Sequence, residues 1–283
     1  MRIGSMLLEI LKIAVVAAIG LSLFLYFYQD RMLFYPPEAP ANLPRPARGT
    51  VEELSLVTAE GPRIVAWLVR SRERAPLVIY FGGNAEDVSW LIGMDRHFAG
   101  YSVLLVNYRG YGPSEGRPGE PALFADALAW YDLAAGRADI DARLIVAMGR
   151  SLGSGVAVHL AANRRVAGVI LVSPYDSVRS LAKAIYPFLP VGLLLKHPFD
   201  SMSRAGAIGA PLLCLAAAND RVIPPTHSRR LFDAWAGPKK GWRVLRSDHD
   251  GISSEPEYWR AIAEFLAGLQ SGHSRPGGDR VAG

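Results

Sequence analysis

The stretch VAMGRSLGSGVAVHLAA, residues 146–162, decides the fold. An apolar run ends in Gly149-Arg150-Ser151-Leu152-Gly153, and helix-forming residues follow at once. A G-x-S-x-G pentapeptide at a strand-to-helix junction holds its serine on a sharp, strained turn, and glycines at the flanking positions relieve the steric conflict. Gly149, Gly153 and Gly155 supply that room. The helix behind Ser151 points the positive end of its dipole at any developing oxyanion. The pentapeptide alone is common and equally describes a plain serine in a glycine-rich bend; its place after a buried strand and before a helix gives it meaning.

Working outward, short β-rich runs alternate with helical patterns. The runs are VEELSLVT, RIVAWLVR, PLVIYF, YSVLLVNY, RLIVAMG, VAGVILVS, PLLCLAAA and GWRVLR. From PLVIYF on they are almost continuously apolar, as strands buried on both faces must be. Between them lie stretches such as PALFADALAWYDLAAG with apolar spacings of three and four. The alternation predicts an α/β fold, a mostly parallel eight-stranded sheet flanked by helices. The first two runs, joined through AEGP, predict an antiparallel hairpin at one edge.

The chain has 283 residues, half of them hydrophobic, enough for one large domain that we place at 50–270. Its formal net charge of +5 is scattered rather than gathered into runs. That favours solubility and mild attraction to anionic lipid over nucleic-acid binding. The one cysteine, Cys214, lies in an apolar run and reads as a buried structural thiol.

The N-terminus carries a different signal. From Ile13 to Tyr28 no residue is charged, and with Met6 to Leu11 the apolar stretch approaches the ~20 residues that cross a bilayer. Tyr26, Phe27 and Tyr28 stand where an interfacial aromatic belt is expected. No small-x-small cleavage site follows, so residues 1–30 read as an uncleaved single-pass membrane anchor rather than a signal peptide. Arg2 and Lys12 precede the span while Arg31, Arg45 and Arg48 follow it, so charge barely discriminates orientation; the expectation is an extracytoplasmic domain. Residues 31–49, with five prolines, read as a semi-rigid spacer, and 271–283 as a disordered tail.

Serine needs a base to take its proton and an acid to orient that base. In this fold the chain order is Ser, then Asp or Glu, then His. His97 and His159 fall on the wrong side of that order, His273 lies in the tail, His197 in an apolar segment, and His227 opens a helix. His249, in RSDHDGI past the last strand run, remains as the base. Asp220, after LLCLAAA, is the favoured acid, at the carboxyl end of a strand where ligand chemistry collects; Asp176 in SPYDS is its competitor. An oxyanion hole needs two backbone N–H donors: Leu152 after the serine, and Asn84 in the FGGNAED loop, where an N-cap role is compatible.

GRSLGSGVAV, VNYRGYGPSEGRP, SPYDSV, YPFLPVGLLLKHPFDS and NDRVIPPTHSRRLF resemble the membrane-anchored, YfhR-like branch of the α/β-hydrolase superfamily. That branch is related to eukaryotic α/β-hydrolase-domain lipid hydrolases and depalmitoylases. The likeness spans about residues 50–270, and a preceding anchor is typical. The resemblance implies Ser151, Asp220 and His249 as a catalytic triad. Two positions depart from the family pattern: Gly82-Gly83-Asn84-Ala85 stands where members carry His-Gly-Asn-Ala, and Ala216-Ala217-Ala218-Asn219-Asp220 where they carry His-Gly-x-x-Asp. The first removes a side chain that stiffens the oxyanion loop; the second leaves the acid in place.

The longest connection, residues 174–209, is unusually apolar and reads as a small lid whose Phe188, Leu189, Leu193, Leu194 and Leu195 line an acyl pocket, or equally as helices packed on the sheet edge. Arg150 either attracts an anionic head group or ties loops together. The expected activity is serine hydrolysis of a small-molecule or lipid-like ester or thioester, with no metal or organic cofactor. A peptidase or acyltransferase on the same residues and a catalytically silent membrane-held binding module are the alternatives.

Overall fold

The structure, a computed structural model, describes residues 2–273. The expected tail at 274–283 lies outside them. Eight strands form one sheet: β1 (Thr50–Val57), β2 (Arg63–Arg70), β3 (Ala75–Phe81), β4 (Ser102–Val106), β5 (Ile140–Arg150), β6 (Gly168–Val172), β7 (Leu212–Ala217) and β8 (Lys239–Leu245). Their spatial order is β1-β2-β4-β3-β5-β6-β7-β8. The sheet is mixed: β2 runs antiparallel to both β1 and β4, and the remaining pairs are parallel. The predicted β1–β2 hairpin forms, its turn closed by Gly61 at φ +104°, a backbone region open to glycine at little cost.

Alternation along the strands divides the core. Leu77, Ile79 and Phe81 of β3 join one cluster, Val78 and Tyr80 the other, and all are fully buried. On the first face pack α2 (Glu120–Ala135), α3 (Leu152–Asn163) and α7 (Pro225–Ala234); on the second, the 3-10 segment Val88–His97 and α8 (Pro256–His273). Both faces are covered, which explains why these strands read as unbroken apolar runs. Cys214 is one such buried residue, and burial raises its thiol pKa.

The N-terminal helix α1 (Arg2–Leu33) runs three residues past the expected anchor boundary. Residues 34–49 are tied to the domain rather than freely extended: Pro37 O accepts from Gly112 N–H, and the Asp95 carboxylate accepts from the N–H groups of Ala47, Arg48 and Gly49. At the other end α8 continues to His273, so residues 271–273 are helix rather than tail. The connection between β6 and β7 holds α4 (Val178–Ile185), α5 (Val191–Leu194) and α6 (Met202–Ala205).

Candidate active site

Because β3, β5, β6, β7 and β8 are parallel, the loops leaving their carboxyl ends emerge at one sheet edge. Gly83, Ser151, Asp176, Asp220 and His249 all lie just past those ends. Ser151, between β5 and α3, adopts φ 49° and ψ −117°, in the left-handed half of backbone space that a non-glycine residue occupies at a cost of order 1–3 kcal/mol. Its N–H donates to Val172 O at 2.9 Å, and its carbonyl accepts from Ser154 Oγ at 2.6 Å. The glycines are sterically required: a Cβ at Gly149 would lie 2.2 Å from Gly153 O, and one at Gly153 2.0 Å from Phe81 O.

His249 Nε2 lies 3.0 Å from Ser151 Oγ, and its Nδ1 lies 2.7 Å from Asp220 Oδ2. The other Asp220 oxygen accepts from the N–H groups of Val222 and Ile223 at 2.9 and 2.7 Å. Burial works to raise the Asp220 pKa, but the His249 ring and the Ile223 N–H outweigh it and hold the carboxyl below its ordinary range. An ionised Asp220 fixes the proton on Nδ1 and leaves Nε2 free to accept from the serine hydroxyl. All three side chains are largely withdrawn from solvent.

Asp176, the competing acid, faces elsewhere: its carboxylate meets His227 Nδ1 at 2.7 Å and Arg230 Nε at 3.2 Å. His273 ends α8, and three further histidines are occupied away from Ser151. His97 stacks on Trp259, His159 on Phe124, and His197 bridges Glu120 N–H and Asp30.

Leu152 N–H opens α3, where the first N–H groups have no intrahelical acceptor. Asn84 N–H donates to no group among the described residues. Asn84 does not cap the 3-10 segment; Asp87 does, and Asn84 Oδ1 instead accepts from Tyr35 N–H at 2.9 Å and Tyr111 Oη–H at 3.1 Å. The glycine at 82 is accounted for locally, since a Cβ there would lie 2.6 Å from Val88 Cγ1. The loop is stiffened by other means. Glu86, buried, accepts through Oε2 from Gly83 N–H and Arg150 Nη1, and through Oε1 from Tyr80 Oη–H and Trp90 Nε1–H. Arg150 therefore ties loops together and is not free for a head group; burial works against its charge, and Glu86 with Tyr80 and Tyr258 together outweigh it. Sequence reasoning missed Glu86, because nothing in the spacing of residues 86 and 150 links them.

The predicted acyl pocket is corrected. Phe188 and Leu193 are 96% and 87% exposed and line no described cavity. Leu189, Leu194 and Leu195 do line an apolar cavity of about 160 Å³, but its other wall is α1, and Ser151 and His249 are not among its lining residues. The apolar composition of the connection did not tell which neighbour these side chains face.

The α/β hydrolase fold family model matches residues 76–194. The α/β hydrolase domain-containing protein WAV2 of Arabidopsis thaliana is 30% identical over 283 residues, covering 89% of this chain and 91% of its own. An uncharacterized membrane protein of Saccharomyces cerevisiae is 30% identical over 259 residues, covering 86% and 90%. Among solved structures, the acetyl xylan esterase from Paenibacillus sp. R4 superposes with a TM-score of 0.64 at 20% identity, covering 87% of this chain and 93% of its own, a likeness of fold.

Proposed function

The chain belongs to the α/β-hydrolase fold family, and on that premise we propose that it is a membrane-anchored serine hydrolase cleaving carboxylic ester or thioester bonds. The observation that carries this reading is the continuous contact from Asp220 through His249 to Ser151 Oγ, with distances of 2.7 and 3.0 Å. His249 Nε2 takes the hydroxyl proton as Ser151 Oγ attacks the acyl carbonyl, and the N–H groups of Leu152 and Asn84 receive the oxyanion. His249 then returns the proton to the departing alkoxide or thiolate, leaving an acyl-enzyme. Water activated by the same imidazole releases the acid and restores the serine.

The anchor is α1, whose segment Met6–Leu33 has a mean hydropathy of 2.3 over its best window and none of that window buried against the domain. Its 28 residues span about 42 Å at 1.5 Å each, more than the ~30 Å hydrocarbon core. A relative described as a membrane protein supports the same reading. On this reading the domain lies outside the cytoplasm, so protease added to right-side-out vesicles is expected to cleave it.

Fluorophosphonate labelling of the full chain in vesicles tests the chemistry. Wild type labels and Ser151→Ala does not; folded wild type that never labels makes the chain a silent module. A panel of acyl esters, acyl thioesters and aminoacyl amides separates hydrolase from peptidase.

A further inference from the structure

The motif VNYRGYGPSEGRP, residues 106–118, supplies none of the Ser151, Asp220 and His249 contacts, yet its two tyrosines close on the loop that carries Asn84. Tyr108 Oη–H donates to Gly82 O at 2.8 Å, and Tyr111 Oη–H to Asn84 Oδ1 at 3.1 Å. Both rings are buried, and they meet edge to face with centroids 5.4 Å apart. The loop they hold lies against the nucleophile, since a Cβ at Gly83 would come to 3.5 Å from Ser151 Cβ. Ala85, the residue after Asn84, has φ 57°, in a region alanine occupies only where its surroundings impose it.

A second grip comes from the segment that leaves α1. Tyr35 N–H, two residues past the end of that helix, donates to the same Asn84 Oδ1 at 2.9 Å. The donor is fixed on both sides. Before it, Phe34 is buried against His197 and Phe199, and its N–H prolongs the helix by donating to Asp30 O. After it, Pro36 and Pro37 restrict the backbone, and Pro37 O accepts from Gly112 N–H at 3.0 Å. The segment after α1 and the β4–α2 loop are thus bonded to each other and to one side-chain oxygen between them. An amide oxygen has two lone pairs, so these two donors saturate it, and the short side chain carries the restraint to the Asn84 backbone.

We propose that the Tyr111 hydroxyl and the Tyr35 N–H are positioning groups of the oxyanion hole, which hold Asn84 so that its backbone N–H faces the acyl carbonyl at Ser151. The proposal rests on the hydrolase reading above and adds to it that the segment joining α1 to the domain serves catalysis as well as tethering. Deleting an oxyanion donor outright costs ~10²–10³-fold in kcat, and displacing a reacting group by 1 Å costs up to ~10²-fold. Removing one of two restraints on such a donor is a milder change, of about 10-fold.

The test uses the full chain in phosphatidylcholine vesicles with p-nitrophenyl butyrate, rates being referred to the protein that labels to completion with fluorophosphonate. Tyr111→Phe keeps the ring, removes the donor, and lowers kcat by ~10-fold with KM within about two-fold of wild type. Tyr35→Pro, which deletes the N–H, slows kcat more than Tyr35→Ala, which keeps it. Tyr101→Phe removes a buried tyrosine bond of the same kind, to Leu266 O, away from the loop; it lowers the melting temperature as Tyr111→Phe does and leaves kcat unchanged. Butylboronic acid reports on the hole itself: Ser151 Oγ adds to boron, its proton passes to His249, and a boronate oxygen takes the oxyanion position. Its Ki rises in Tyr111→Phe by the factor that kcat falls. A labelled variant, Tyr111→Phe or Tyr35→Pro, that keeps both the wild-type kcat and the wild-type boronate affinity overturns the role of the group it lacks and leaves the hydrolase reading intact. A wild type that neither labels nor hydrolyses the ester overturns the hydrolase reading beneath it.

Discussion

Arg150 Nη2 donates to the carbonyl oxygen of His249 at 3.1 Å, so the residue preceding Ser151 braces the loop that carries the imidazole. Its Nη1 reaches Glu86 at 3.1 Å, beneath the loop that carries Gly83 and Asn84. One guanidinium thus couples both sides of the site. Removing one partner of a buried pair is destabilising by up to ~3–5 kcal/mol, and here by less, because Arg150 keeps the exposed Asp250 carboxylate at 3.3 Å. Glu86→Ala is therefore expected to lose ~1–3 kcal/mol of stability in urea unfolding, and to slow ester hydrolysis although Glu86 does not touch Ser151. A variant with wild-type stability and rate would remove the coupling.

The positive φ of Ser151 predicts a trade between stability and activity. Ser151→Gly relieves the backbone and raises stability by ~1 kcal/mol while lowering the rate at least ~10³-fold. Gly153→Ala has the opposite character, since its Cβ would meet the Phe81 carbonyl at 2.0 Å. Thermal unfolding compares the two: the first melts above wild type, the second well below.

Two aspartates at neighbouring strand ends are separated by kinetics. Asp220→Asn frees the His249 tautomer and is expected to lower kcat by roughly 10³–10⁴-fold with little change in fold. Asp176→Asn weakens the contact with His227 and Arg230, lowers the melting temperature and leaves kcat within a few-fold. Equal losses of kcat in both would show that Asp220 has no special part.

Acid sensitivity has a named source. Burial, with Arg204 and Arg164 nearby, lowers the His159 pKa from 6.5 to about 4. Between those values the unfolded chain binds the proton that folded His159 refuses, so its contribution is complete above pH 6.5 and declines as the pH falls towards 4. Asp220, lowered in the folded state, contributes above the ordinary carboxylate range and loses that contribution at still lower pH. His159→Phe is expected to flatten the stability profile between pH 6.5 and 4 and to change it little at pH 8. A profile as steep as wild type would place the sensitivity elsewhere.

The strands, the edge hairpin and the serine turn were legible in residues 50–250 because each depends on local rules. Burial on both faces enforces continuous apolar runs, and the serine turn excludes Cβ atoms at Gly149 and Gly153. Those rules act within a few positions of the chain. They could narrow the acid to Asp220 or Asp176, since both follow strands, and no further.

The strand order decided the rest. Placing β5, β7 and β8 in one parallel array brings positions 151, 220 and 249 to a common edge, and leaves Asp176 facing His227. The Glu86–Arg150 link and the pairing of Leu194 with α1 are likewise contacts between residues far apart in the chain. An apolar side chain's spacing records that it avoids water. Which surface shields it depends on how distant elements pack, and that geometry exists only once the chain has folded.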